Sequence, residues 1–213
     1  AFSNHNQQSY FGLNQYDIKQ QSFYSNLILN SIITNTRNKF ATGLNFAYDN
    51  YTELVNRVDV SRIDNSVGAF FEYTFDNSNK FSYILGIRAD YHNRLGAFVT
   101  PRLHVRYNPW EKSVLRFSAG RGKRAANIYA ENQQLFGSSR VFSVLDTEGK
   151  LYGLNPEIAW NYGMSFTQNF KLFDKSADVT VDFYRTDFQN QAVVDVMQSP
   201  QQVNFYNLKG DSY

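Results

Sequence analysis

Apolar residues recur at every second position in segment after segment of this chain, with small, polar or charged residues between them. Phe40, Thr42, Leu44, Phe46 and Tyr48 share one strand face, and Ala41, Gly43, Asn45, Ala47 and Asp49 share the other. The same rhythm returns at Val67, Ala69, Phe71, Tyr73 and Phe75, then at Phe81, Tyr83, Leu85, Ile87, Ala89 and Tyr91. A period of two belongs to a β-strand, whose successive side chains point to opposite faces. The pattern predicts strands over 22–33, 38–51, 64–75, 81–93, 97–108, 113–122, 156–170 and 177–189, with a ninth beginning near Val203. The predicted fold is all-β, an antiparallel up-and-down meander.

The connections sharpen this picture. Segments 34–37, 76–80, 108–112 and 171–176 read as short polar turns, whereas 51–63 and 123–155 read as long loops. Short turns at one end and long loops at the other are the layout of a large transmembrane β-barrel, of which 1–213 would be a wall segment of about eight to nine strands. The 93–96 connection is short for an outer loop, so the alternation is imperfect. Strands of about ten residues suffice to cross a bilayer when tilted, and no apolar run approaches the ~18 residues of a membrane helix.

Aromatic residues make up 17% of the chain, with 19 Phe and 15 Tyr, and they gather where a wall would meet the membrane interface. The simplest register at the 76–80 turn sets Phe75 against Phe81 and Tyr73 against Tyr83, the start of an aromatic girdle. The competing reading is a soluble, aromatic-rich β-sandwich that binds carbohydrate or protein, since its inner faces also alternate. Such a sandwich must cover its aromatic face with a second sheet.

The opposite face carries Gly43, Gly68, Gly86, Gly120 and Gly163 together with Arg88, Arg102, Arg106, Arg116, His104 and Asp90. Glycine within a strand often marks the close approach of another backbone, so something is expected to lie against this face. An apolar core does not tolerate so many unpaired charges, but a water-filled or plugged lumen does. The 108–112 turn brings Arg106 near Arg116, an unfavourable meeting without a carboxylate or anion between them. Glu72, Asp90, Asp178 and Asp182 are the carboxylates within the chain that could balance these arginines.

Other chemistry is thinly represented. The chain has no Cys, which rules out disulfide frameworks and thiolate metal sites. A net charge of +2, from 21 basic and 19 acidic residues, argues against nucleic acid as a partner. His5, His92 and His104 lack metal-ligand spacing, Gly120 to Arg124 does not complete a phosphate loop, and no nucleophile elbow surrounds Ser138 or Ser139. No enzymatic activity, cofactor or metal is expected. The chain opens Ala1-Phe2-Ser3-Asn4, without an initiator Met or signal peptide, so its native beginning is expected to lie elsewhere.

Several motifs in order carry a resemblance: VGAFFEYTF at 67–75, GIRADYHNRLGAFVTPRLHVRYNP at 86–109, and LRFSAGRGKRAANIYAEN at 115–132. LNPEIAWNYGMSF at 154–166 and YNLKGDSY at 206–213 follow. This succession resembles the barrel of a TonB-dependent outer-membrane receptor. The resemblance implies a middle section of a barrel of about twenty-two strands around a plug; no plug or TonB box is recognised in this sequence. It also implies the outer membrane of a Gram-negative bacterium, and active uptake of a scarce ligand such as a ferric siderophore, ferric citrate, cobalamin or an oligosaccharide. The implied partners are the plug domain of the same receptor, TonB acting through the plug, outer-membrane lipid and a small ligand.

Within that picture Val67, Phe71, Leu85, Ile87, Leu103, Val105 and Phe117 would face lipid. Arg88, Arg102, Arg106 and Arg116 would face the plug or nearby water. Arg121, Lys123, Arg124 and Asn127, at the top of their strand, are candidates for an anionic ligand, because arginine pairs well with carboxylates. The same four could instead anchor acidic head groups or brace the loop. The 123–155 loop is rich in Asn, Gln, Ser and Tyr and reads as a recognition loop.

Overall fold

A computed structural model describes residues 1–77 and 80–208. The strands are β1 (Phe2–Phe11), β2 (Asn14–Ile32), β3 (Asn38–Val55), β4 (Val58–Asp59), β5 (Arg62–Asp76), β6 (Phe81–His92), β7 (Gly96–Tyr107) and β8 (Ser113–Arg124). A 3₁₀ helix (Ala130–Gly137) precedes β9 (Val141–Val144), β10 (Glu157–Leu172), β11 (Lys175–Asp195) and β12 (Gln202–Leu208). They form one sheet in the order β1-β2-β3-β5-β6-β7-β8-β10-β11-β12-β9, with β4 paired to β3. Every pairing is antiparallel except β12 with β9, which is parallel. The meander inferred from the period of two is the observed fold.

Three features depart from the sequence expectation. Residues 51–63 are not a long loop: β3 runs on to Val55 and turns within Asn56 and Arg57, whose φ values of 49° and 70° suit a tight hairpin. β1 was not anticipated, because FSNHNQQSYF is polar on both faces; it pairs with β2 from Phe2↔Phe23 to Phe11↔Asn14. At the 76–80 turn, Phe75 pairs with Tyr83 and Tyr73 with Leu85, two residues from the simplest register. The ladder continues through Asn77, whose N–H donates to the Phe81 carbonyl at 2.9 Å, and so consumes part of the expected turn. Ser78 and Asn79 of that turn, and residues 209–213 of the YNLKGDSY segment, lie outside the described residues.

A slip of two residues leaves every side chain on its face. The rings therefore still cluster: Tyr83 lies 5.5 Å from Phe75, 5.9 Å from Tyr73 and 5.7 Å from Phe81. Along the sheet, the register aligns Leu27, Leu44 and Ala69, then Phe71, Ile87 and Pro101, then Val105, Phe117, Met164 and Phe183 on one face. This aliphatic and aromatic face is uncovered. Leu27 is 70% exposed, Leu85 55%, Ile87 53% and Phe183 58%.

Several glycines of the other face meet side chains of the neighbouring strands. A Cβ at Gly86 would lie 2.8 Å from the Arg102 side chain, one at Gly43 2.7 Å from the Phe70 ring, and one at Gly163 3.1 Å from the Tyr184 ring. Neighbouring strands fill these gaps themselves. At these three positions the glycine leaves room for a side chain of the neighbouring strand to lie down on the sheet.

β2, β3, β10 and β11 are 19, 18, 16 and 21 residues long, well beyond the ~9–11 that a tilted strand needs to span a bilayer. On the side of the 125–156 loop, β2 and β3 continue together past the end of the β3–β5 ladder at Tyr51↔Arg62, and β11 continues past β10 through Gln191 to Asp195. The buried apolar residues sit there, between the sheet and the inward-folded loop. Phe136 of the 3₁₀ helix packs 5.4 Å from Tyr16 and 4.6 Å from Phe142, and Phe142 lies 6.0 Å from Phe205. The loop thus joins strands near opposite ends of the sheet order.

Candidate ligand-facing site

The loop is held by a polar network that the sequence reading missed. Glu53 and Tyr16 are fully buried, and Arg62 is nearly so. Glu53 accepts hydrogen bonds from the hydroxyls of Tyr16 at 2.9 Å and Tyr152 at 2.6 Å, and forms an ion pair with Arg62. Arg62 also pairs with Asp64 at 3.1 Å, and Asp64 with Arg94 at 2.7 Å. The Arg62 guanidinium lies 4.0 Å from the centre of the Tyr51 ring. Asn127 Oδ1 lies 2.8 Å from the same Tyr152 hydroxyl. Burial, chiefly, pushes the Tyr152 and Tyr129 hydroxyls above the usual phenol range, with the Glu53 carboxylate adding to it. The available signal was the alternation itself, which continues through Tyr51, Glu53 and Val55.

Of the ligand candidates, Arg124 pairs with Glu157 at 2.5 Å and Glu131 at 3.1 Å, and the Asn127 N–H donates to Glu131. Arg124 braces the loop's Glu131 against Glu157 of β10, and Asn127 is tied to Glu131 within the loop. The β7–β8 ladder stops at Arg102↔Gly120, and beyond it two side chains cross the gap. Arg121, which shares the strand parity of Phe117, donates to the Val99 carbonyl at 3.2 Å and to Gln189 at 3.4 Å. Lys123 donates to the Leu95 carbonyl at 2.8 Å, with its Nζ 5.0 Å from the centre of the Phe98 ring.

These residues open on a recess of about 460 Å³ on the glycine and arginine face. Arg88, Asp90, His92, Arg121, Lys123 and Arg124 are among its lining residues. Asp90 is the single carboxylate among these six, against four fixed cations. Arg88 holds that carboxylate at 2.7 Å and Arg124 is held by Glu157 and Glu131, so the positive charge left at the recess is that of Arg121 and Lys123.

The other three arginines of this face divide. Arg102 forms an ion pair with Glu72, across β6. Arg106 and Arg116 stand directly opposite each other in the β7–β8 ladder, as the sequence suggested. Asp178 and Asp182 do not balance them. Among the described residues neither arginine has an ion pair.

A sequence model described as TonB dependent receptor-like, beta-barrel, matches residues 1–213. No curated protein matches the chain. Among solved structures, the siderophore receptor PirA from Pseudomonas aeruginosa is similar over 98% of this chain and 43% of its own, at 14% identity and a TM-score of 0.64. A variant of the ferric enterobactin receptor PfeA from Pseudomonas aeruginosa is similar over 92% of this chain and 31% of its own, at 14% identity and a TM-score of 0.60. PirA from Acinetobacter baumannii is similar over 93% and 33%, at 12% identity and a TM-score of 0.56. The chain therefore spans less than half the length of these solved proteins, and at such identities the likeness is one of fold.

Proposed function

Because this chain belongs to the TonB-dependent receptor family, whose members are transporters and not enzymes, we propose that it is a section of barrel wall in a Gram-negative outer-membrane receptor. The receptor takes up a scarce ligand actively, with TonB acting through a plug domain inside the barrel. The observation that carries this reading is the uncovered apolar face of the single sheet. A soluble sandwich would bury that face under a second sheet, and an exposed apolar surface of this extent needs lipid or a partner.

The ligand enters at the end where the long strands and the 125–156 loop rise. The cationic recess there favours an anionic ligand, as a ferric siderophore or ferric citrate is, over cobalamin or a neutral oligosaccharide. The names of the similar solved receptors, two for siderophores and one for ferric enterobactin, lend support to the siderophore class.

The chain has no Cys, so single cysteines report cleanly. Fluorophores at Phe71, Leu85 and Ile87 are expected to be quenched by lipid-borne quenchers in reconstituted membranes, and those at Ser82, Thr100 and His104 are not. Protection of the first set from both lipid-borne and water-soluble quenchers would mean a buried protein core, and the receptor reading would fail.

A further inference from the structure

We infer that Arg106 and Arg116 together receive one carboxylate side chain of the plug domain, a contact in which Arg88 and Arg102 take no part. The inference rests on the receptor reading above. Its basis is the division of the four arginines on this face. Arg88 is neutralised by Asp90 and Arg102 by Glu72, both within the sheet. Arg106 and Arg116 are directly paired, and like charges directly opposite each other on a sheet are destabilising.

No carboxylate stands directly beside either arginine in the row. Arg106 pairs on its other side with Ser82, and Arg116 with Ser165. Asp76 and Asp182 follow one strand further on either side, opposite Ser82 and Ser165, so each is separated from the arginine pair by a serine strand position. The two guanidinium groups border a recess of about 450 Å³, with His104, Ser118 and Ser165 adding further hydrogen-bonding groups. An arginine fork matches a carboxylate, and two forks from adjacent strands can take one oxygen each.

Charge complementarity therefore calls for an anion here, and a tethered one fits better than a free one. Both arginines are exposed, and a free anion pairing with exposed charges gains little in water. A carboxylate on a polypeptide already lodged against the face arrives at high effective concentration. The site also lies toward the 108–112 turn, away from the ligand-facing recess at the other end of the strands.

The test uses the complete receptor in detergent. Arg116→Lys is treated with a carbodiimide, which condenses a lysine amine with a carboxylate in contact, losing water to form an amide. The expected product joins a β8 peptide to an acidic plug peptide and is absent when Arg116 is retained. In parallel, Arg106→Gln is expected to lower the urea midpoint for plug release by roughly 1 M. A cross-link confined to Asp182 or Glu72 of the wall, no cross-link, or an unchanged or higher midpoint would overturn the inference. Lipid quenching at Phe71, Leu85 and Ile87, measured on the same variants, separates that failure from failure of the barrel reading.

Discussion

Replacing Glu53 by Ala removes the acceptor on which the loop network converges. The Arg62 side chain is 5% exposed, and without Glu53 it keeps Asp64 at 3.1 Å as its one carboxylate. The Tyr16 and Tyr152 hydroxyls lose their shared acceptor at the same time. Breaking a buried ion pair by deleting one partner costs about 3–5 kcal/mol. Asp64 remains to offset part of this, so the lower end applies, ~3 kcal/mol, or about a 100-fold rise in the open population of the loop. Hydrogen exchange of the amides in 126–154, followed by mass spectrometry on the receptor in detergent, reads that population directly. Amides of β5 to β7 below the network should not change. Glu53→Leu combined with Arg62→Leu should recover much of the loss, because no orphaned charge is left. Equal loop exchange in Glu53→Ala and the unsubstituted protein would refute the reasoning. So would a double variant as damaged as the single.

Gly43→Ala should destabilise the wall, since its Cβ would meet the Leu27 carbonyl oxygen at 2.2 Å and the Phe70 ring at 2.7 Å. A cost of about 1–3 kcal/mol is expected from overpacking, seen as a lower temperature for the heat-induced shift of the barrel band on semi-native gels. Gly122→Ala, with nothing within 4 Å, is the matched neutral case. Loop protection should depend on pH in one direction. Tyr129 and Tyr152 are held above the ordinary phenol value of 10.0, so their contribution is fully present below pH 10. It declines above that as the unfolded phenols ionise first, by up to about 1.4 kcal/mol per pH unit for each. Tyr152→Phe should flatten the decline, and an unflattened profile would exclude Tyr152 as its source. Lys123→Ala should weaken binding of an anionic ferric siderophore by more than it weakens that of a neutral oligosaccharide, measured by titration; equal losses would count against a charge-selective recess.

The wall was legible in the sequence because each strand of the region from Phe40 to Phe117 has one apolar face, and a period of two fixes which residues share it. Where that contrast fades, the reading fails. β1 alternates Asn, Gln and Ser on both faces, and Tyr51, Glu53 and Val55 look like loop residues because the inner side of the extended strands is polar. The pairing of Arg106 with Arg116 followed from one short turn, and Asp90 stands on the face of Arg88 two residues away. Other contacts have no local signature. Glu53 and Tyr152 are separated by 99 positions and meet only because the loop folds inward. Arg124 ends β8 and Asn127 lies in the loop just beyond it, and a sequence does not show that Glu131 and Glu157 occupy them.

The glycines that accommodate Arg102, Phe70 and Tyr184 also set the clearance inside the barrel. A long side chain laid flat adds little to the thickness of the wall, whereas the same residue opposite an alanine or valine would stand into the bore. Strand number fixes the nominal diameter of a barrel, and glycine placement then carves its inner contour. Two receptors with the same number of strands but shifted glycines would thus differ in the width of passage they leave, at heights dictated by the register of adjacent strands.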